Sequence, residues 1–214
     1  MVSPRNTPKG LAYAGAAGTV LLLGFALVAT LPAGADHVPA NKVAVAGSTI
    51  EILTTPITEG STSQEALLLE ATIRASQGID LILQLTYECA LWTDVGVIGN
   101  DQSEAVATVK SWVEIDGVAV PVTPDTEVST VTLCNRAYGL QVLNADDEDQ
   151  QIQQYLSTKA SNAFNWAAVD LSEGLHDISV FGLLEAQVTG LGTAQAGIGS
   201  RTLIVEPVQL AGDA

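Results

Sequence analysis

Basic residues are scarce in this sequence. Its 214 residues include 8 Lys and Arg against 24 Asp and Glu, which gives a formal net charge of −16. Nucleic-acid binding depends on a basic footprint, and anionic membrane surfaces attract basic segments. The composition therefore argues against nucleic acid and against an anionic membrane surface as partners. It favours an acidic protein with a well-solvated surface.

Histidine and recognisable catalytic motifs are also lacking. The two histidines are His37 and His176, whereas a zinc site needs three or four Cys, His or carboxylate ligands within reach of the ion. The serine motif G-x-S-x-G is absent, and the nearest match, Gly197 to Arg201, fails at its last position. His176 shares an apolar face with Ile178 and Val180, which indicates a structural histidine. We therefore predict no catalytic residue and no cofactor-binding residue.

Helical periodicity is almost absent after the N-terminal segment, where an alternation with period two dominates. Ile152–Lys159 is ambiguous, because its glutamines favour a helix and its context favours a strand. Leu67–Ala75 and Ile79–Leu91 alternate apolar and polar residues, which indicates strands with one buried face. Asp116-Gly117 between apolar strands predicts a type I′ hairpin. An α/β fold would need helices between the strands. The sequence therefore predicts an all-β fold, an antiparallel β-sandwich or jelly roll.

The domain organisation follows from the same reading. Residues 1–35 are interpreted as a signal peptide or membrane anchor, 36–66 as an extended lead-in and loop, and 67–214 as one β-sandwich domain. Within this scheme 54–66 is rich in Ser, Thr, Gly and Pro, and 190–199 is rich in glycine. Both stretches have the composition of loops.

A long hydrophobic run is present at the N terminus. Arg5 and Lys9 precede the apolar stretch Leu11–Leu31, and Ala33-Gly34-Ala35 follows it. This order of basic, apolar and small residues predicts a signal peptide cleaved after Ala35, and a secreted or cell-surface protein. Two alternatives stay open. The run is long enough to remain as a membrane anchor, and Lys9-Gly10 resembles the junction of a prepilin or archaellin leader, which is cut after the glycine.

The two cysteines, Cys89 and Cys134, are predicted to form a disulfide, because cysteines of an exported chain usually pair. Cys89 falls on the apolar side of the alternation in its strand. A structural disulfide would point inward in this way. Free thiols or a metal site are the alternative, which the absence of a C-x-x-C motif disfavours.

One acidic turn is a candidate metal site. Asn144, Asp146 and Glu148 carry hard oxygen ligands at alternating positions, as calcium requires. As an EF-hand loop the segment fails, because Asp149 and Tyr155 occupy the positions of the required glycine and glutamate. The hypothesis is a weak calcium site, and the alternative is a solvated acidic turn.

Aromatic residues make up only 5% of the chain, and one tryptophan among them is predicted to face outward. Trp112 lies between Lys110 and Glu114, on the face opposite Val109 and Val113. An outward tryptophan on a sandwich can stack on the ring of a sugar. It can equally lie under a loop or in a subunit contact. The other two tryptophans, Trp92 and Trp166, are expected in or near the core.

A resemblance concerns the C-terminal part of the chain. The stretch FNWAAVDLSEGLHDISV followed by SRTLIVEPVQL resembles the C-terminal part of uncharacterised secreted proteins from bacteria and archaea. The resemblance implies a shared β-rich fold. It carries no known activity and assigns no role to any residue.

These observations predict an exported, non-catalytic β-sandwich protein that acts as an extracellular or cell-surface binding or structural module. Its expected partners are a glycan or another surface protein, and membrane contact is expected only through an uncleaved N-terminal segment. One alternative is a subunit of a surface filament or envelope layer, built through the pilin-like leader or by strand exchange. Another is a small extracellular hydrolase, for which no site can be named.

Overall fold

The computed structural model describes residues 44–49, 52–99, 101–124, 127–142 and 151–209. Within these ranges the chain forms strands and no helix long and apolar enough to cross a membrane. The strands are β1 (Ala44–Ser48), β2 (Ile52–Leu53), β3 (Gly60–Ala75), β4 (Ile79–Ile98), β5 (Gln102–Ile115), β6 (Val118–Ala119), β7 (Val131–Gln141), β8 (Gln151–Leu171), β9 (Gly174–Thr189) and β10 (Leu191–Val208). The predicted leader, His37 and the calcium candidates Asn144, Asp146 and Glu148 lie outside the described residues.

The strands form two antiparallel sheets that pack face to face. Sheet one has the order β1-β10-β4-β8, with β2 also paired to β10, and sheet two has the order β3-β9-β5-β6, with β7 also paired to β5. Apart from the two-residue strands β2 and β6, this order is that of a jelly roll. The predicted fold class, an antiparallel β-sandwich of jelly-roll type, is therefore confirmed.

The core lies between the inner faces of the two sheets. Leu81, Leu83 and Leu85 of β4 alternate with partly exposed residues and are fully buried, and Val180 and Leu184 of β9 are buried from the other sheet. This alternation explains the folding of the sequence, because each strand removes one apolar face from water at about 25 cal/mol per Å².

The predicted disulfide is confirmed. Cys89 of β4 is bonded to Cys134 of β7, with the two Cα atoms 6.5 Å apart. The bond therefore joins sheet one to sheet two, and the side chain of Cys89 is buried as the alternation predicted.

The lead-in and loop predicted for 36–66 differ from the structure. The described part of this segment contains β1 and β2, both paired with β10, and the first residues of β3, which begins at Gly60. The sequence was misleading because β3 is an end strand whose residues Ser61, Ser63 and Glu65 face solvent. Their pairing with β9, distant in sequence, makes the segment a strand.

The glycine-rich stretch 190–199, predicted as a loop, is also a strand. From Leu191 onward it forms β10 and pairs with β4. A Cβ on Gly197 would lie 2.4 Å from Leu53 Cδ2 and 3.2 Å from Trp92 Cζ3. The glycine is therefore required because these two side chains lie across the strand.

The expectation that Trp92 and Trp166 lie in or near the core is confirmed for Trp166, which is fully buried. Trp92 instead alternates with the buried residues Leu91 and Thr93, so it lies half-buried on the outer face of sheet one. The space above Gly197 is what accommodates its ring.

Candidate functional site

The outer face of sheet two carries the outward tryptophan of the sequence analysis. The register sets Trp112 of β5 opposite Phe181 of β9, and Phe181 opposite Leu67 of β3. Side chains of directly opposed residues in antiparallel strands lie on the same face. These three residues therefore form one apolar row across the middle of the sheet, which we call the aromatic row.

The two rings of the aromatic row are stacked. The centroids of Trp112 and Phe181 are 5.3 Å apart and the ring planes differ by 12°. The indole Nε1 of Trp112 donates a hydrogen bond to Glu114 Oε1 at 3.0 Å. Phe181 thus covers one face of the indole and Glu114 fixes its orientation, and both rings are half-buried on the outer face of the sheet.

Leu67 lies on a different face of its strand from the one that its alternation predicts. Leu67 was expected on the buried face with Leu69, but it is 46% exposed on the outer face. A β-bulge between these two residues, where the register against β9 shifts, places them on opposite faces. Because of the bulge, Leu67 adds an apolar side chain to the aromatic row on the outer face, although the alternation of the sequence places it on the buried face.

An open depression of about 350 Å³ lies on the same face, along the strands from the aromatic row. The outward side chains that line it are Ser61, Ser63, Val106, Thr108, Glu185 and Gln187. Thr108 donates to Asn135 Oδ1 at 3.1 Å. The lining is therefore rich in hydroxyl and amide groups, which both donate and accept hydrogen bonds.

One ion pair separates the depression from the aromatic row. Lys110 Nζ lies 2.8 Å from Glu185 Oε2, and both side chains are about one third exposed. Glu65, Glu70 and Glu114 add further carboxylates to this face. The surface as a whole is apolar at the row, hydroxyl-rich in the depression and negative around both.

His176 is a structural histidine, as the sequence predicted. It is buried, its Nδ1 lies 2.6 Å from Asp116 Oδ2, and its Nε2 lies 3.0 Å from the Ser172 carbonyl. Both ring nitrogens face oxygen acceptors, an arrangement that suits the doubly protonated ring. Neither nitrogen faces a serine hydroxyl, so this histidine does not complete a Ser-His-Asp triad.

The partner of His176 belongs to the predicted hairpin turn. Asp116 and Gly117 have φ values of 53° and 77°, as a type I′ turn requires. The Asp116 carboxylate also accepts a hydrogen bond from the Asp177 backbone N–H at 2.9 Å. The turn between β5 and β6 is thereby attached to β9 through one carboxylate.

We expect this pair to make stability depend on pH. Hydrogen bonds to the Ser172 carbonyl and then to Asp116 raise the pKa of His176 above 6.5. The contribution of His176 to the stability of the fold is therefore complete below about pH 6.5 and is lost as the pH rises through its folded-state pKa. Hydrogen bonds from His176 and then from Asp177 lower the pKa of Asp116 below 3.8. The contribution of Asp116 to stability is present above about pH 3.8 and is lost only as the pH falls through its lowered folded-state pKa.

The measurement is the melting temperature across this pH range. His176→Asn should cost about 1–2 kcal/mol near pH 6, because a hydrogen-bonded cationic group is lost. It should also flatten the decline toward alkaline pH, whereas His37→Asn should leave the profile unchanged. Identical profiles for the His176 variant and the unaltered protein would show that the pair does not titrate as argued.

Among the described residues, no group of three or more His, Cys, Asp or Glu is placed to hold a metal ion. The calcium candidates are not among those residues. Trp112 faces outward as predicted, but Phe181, its stacking partner, was not identified, and the apolar alternation of β9 gave no signal that the two rings would meet.

Comparison with known proteins identifies no family. No protein-family model and no curated protein matches the chain. Among solved structures it is similar to a CocE/NonD family hydrolase from Staphylococcus aureus, with 11% identity over 71% of this chain and 33% of that chain, at a TM-score of 0.18. It is also similar to a structure of infectious bursal disease virus Gx strain, with 9% identity over 78% and 40% of the two chains, at a TM-score of 0.15.

Neither likeness carries an argument, because both TM-scores are low and this chain spans well under half of either protein. The class of the protein therefore rests on its own architecture. It is a disulfide-linked jelly-roll sandwich with a half-buried pair of stacked rings on the outer face of one sheet.

Proposed function

We propose that the protein is an exported, non-catalytic binding module whose ligand is a neutral glycan, bound on the outer face of sheet two. The observation that carries the proposal is the stacked pair Trp112 and Phe181 beside a hydroxyl-lined depression. A sugar presents apolar C–H faces together with hydroxyl groups. An aromatic ring suits the first and side chains such as Ser61, Ser63 and Gln187 suit the second.

The charge of the face supports a neutral ligand. Glu65, Glu70 and Glu114 surround the aromatic row, and Lys110, which lies next to the row on this face, is paired with Glu185. An anionic polysaccharide would meet these carboxylates around the row. A neutral chain of sugars would meet only hydrogen-bonding groups and apolar surface.

The extracytoplasmic location rests on two observations. Disulfides persist in oxidising compartments outside the cytoplasm, and the bond between Cys89 and Cys134 joins the two sheets of this sandwich. The N-terminal order of basic, apolar and small residues is that of an export signal. A glycan ligand is available in the same location, on a cell surface or in its matrix.

Depletion by insoluble polysaccharides tests the proposal. The purified protein is mixed with cellulose, chitin or xylan, and the fraction left in solution is measured. We expect one of these neutral polymers to bind it, and Trp112→Ala to weaken that binding about tenfold, because an aromatic contact of this kind contributes about 1 kcal/mol or more.

A matched control comes from sheet one. Trp92→Ala removes a tryptophan that is also half-buried, from the outer face of the other sheet, and should leave binding unchanged. Binding that both variants weaken alike, or the absence of binding to all three polymers, would contradict the assignment of the aromatic row.

A second candidate function is a subunit of a surface filament or envelope layer. It is favoured by the long end strand β8, which pairs with β4 on one side and, among the described strands, with none on the other. A subunit of this kind would be built into assemblies by strand pairing.

A further inference from the structure

The end strand β8 is unusual for its length. It runs from Gln151 to Leu171 and pairs along almost its whole length with β4, with no shift of register between Ala168 and Gln151. At about 3.3 Å per residue it extends roughly 70 Å. On the side away from β4 it pairs with no other described strand, so this edge presents a row of backbone N–H and C=O groups, which pair readily with another strand.

Edge strands are normally protected by charges, prolines, bulges or short length. β8 has little of this protection, because the run Gln151–Val169 contains no acidic residue and no proline in a chain with 24 acidic residues. Its single charge, Lys159, is held 3.3 Å from Glu88 on its own sheet. Tyr155 is 61% exposed and Ile152 38% exposed on the same strand.

The other described edges are protected. β1 has only five residues. β3 contains Glu65, Glu70 and Arg74 and is interrupted by a bulge. β7 is half as long as β8, carries a bulge, and directs Arg136 inward to the Leu91 carbonyl. The absence of protection is therefore specific to β8.

We propose that β8 is a homodimer interface, in which it pairs antiparallel with β8 of a second copy and joins the two copies of sheet one into a continuous sheet. A second copy is the fitting partner for two reasons. At a net charge of −16 two copies repel each other, so the contact must fall where acidic residues are absent. Antiparallel pairing about a two-fold axis also brings the same strand of both copies together, and an uncharged strand can pair with its own copy without repulsion.

The proposed register is centred on Ala160, the midpoint of the uncharged run. Within one copy, Ser161 lies opposite Glu88 and Lys159 lies opposite Ala90. Pairing about Ala160 sets Lys159 of one copy opposite Ser161 of the partner subunit. On the next strand of the partner subunit, Glu88 of the partner subunit lies opposite that serine, so it falls in the same row of side chains as the lysine. Each lysine is thus placed between two carboxylates, and the two lysines are diagonal rather than direct neighbours across the axis.

The test introduces like charges at this interface. In the proposed register Ser157 lies opposite Ala163 of the partner subunit, and both are exposed. Ser157→Glu/Ala163→Glu therefore sets new carboxylates directly opposite one another, which should weaken association at least about tenfold. Ser61→Glu/Ser63→Glu adds the same charge to the end strand of sheet two and should leave association unchanged.

Sedimentation equilibrium over a range of concentrations measures the mass of each variant, with circular dichroism to confirm folding. We expect a dimer for the unaltered protein and for the control, and a monomer for the β8 variant at the same concentrations. A monomer at every concentration, or a dimer that the β8 variant retains, would overturn the proposal. Larger polymers that survive the β8 substitutions would do the same, because pairing about a two-fold axis closes at two copies.

Hydrogen exchange supplies a measurement that needs no variant. In the dimer, the backbone amides of Gln151–Val169 that point away from β4 are bonded to the second copy, so their hydrogen exchange should slow as the protein concentration rises. The amides of β3, the end strand of sheet two, should exchange at a rate independent of concentration. Equal behaviour of the two strands would contradict pairing through β8, even if the β8 variant failed to fold.

Discussion

Replacing both Cys89 and Cys134 by alanine should lower the free energy of unfolding by about 3–4 kcal/mol. The disulfide closes a span of 45 residues, and in the chain-entropy model its removal frees the unfolded chain by that amount. The bond also links β4 to β7 across the two sheets. The side-chain amide of Asn162 in β8 lies 3.2 Å from Cys89 Sγ and 3.0 Å from Cys134 Sγ, so a third strand loses its contact as well.

Denaturant unfolding with and without a reductant measures this effect. Reduction should lower the unfolding midpoint of the unaltered protein toward that of the double variant, and should leave the midpoint of the variant itself unchanged. If the oxidised protein and the variant unfolded at the same denaturant concentration, the disulfide would not stabilise the link between the sheets.

Trp166→Ala should have an effect of similar size, about 3–5 kcal/mol, because it empties the largest fully buried side-chain position. The ring packs edge to face against Phe164, with centroids 5.1 Å apart. Its Nε1 donates to the Ser129 carbonyl at 2.8 Å. The tryptophan therefore ties the segment before β7 to β8, and its loss leaves both a cavity and an unpaired carbonyl.

The size of the cavity can be separated from the loss of the hydrogen bond. Trp166→Phe keeps much of the buried ring but loses the donor, so it should cost clearly less than Trp166→Ala. Trp92→Ala, on the outer face of sheet one, should cost less again because Trp92 is only half-buried. Chemical unfolding of the three variants gives the order. An equal loss at Trp92 and Trp166 would mean that burial does not set the cost.

Several features of the fold could be predicted from the sequence because they depend on neighbouring residues. The alternation of β4 is a local property, and it predicted both the buried leucines and the inward direction of Cys89. The Asp116-Gly117 turn is equally local, since two adjacent residues must adopt positive φ. The outward direction of Trp112 followed from the same period of two along β5.

Contacts between distant strands could not be predicted in this way. The strand at Gly60–Ala66 and the strand in 191–199 look like loops by composition, and only pairing with β9 and β4 makes them strands. The bulge beside Leu67 reverses the face of one leucine without any local signal.

The sequence by itself therefore determined the class of fold, the disulfide and the direction of individual side chains, because a strand's alternation is contained within the strand. The tertiary structure alone decided which side chains meet. Phe181 lies beside Trp112 only because β9 pairs with β5 in one register, and β8 has a free edge among the described strands only because the strand order ends there. Register and strand order are set by packing over the whole sandwich, where a shift of one residue would turn every buried side chain outward.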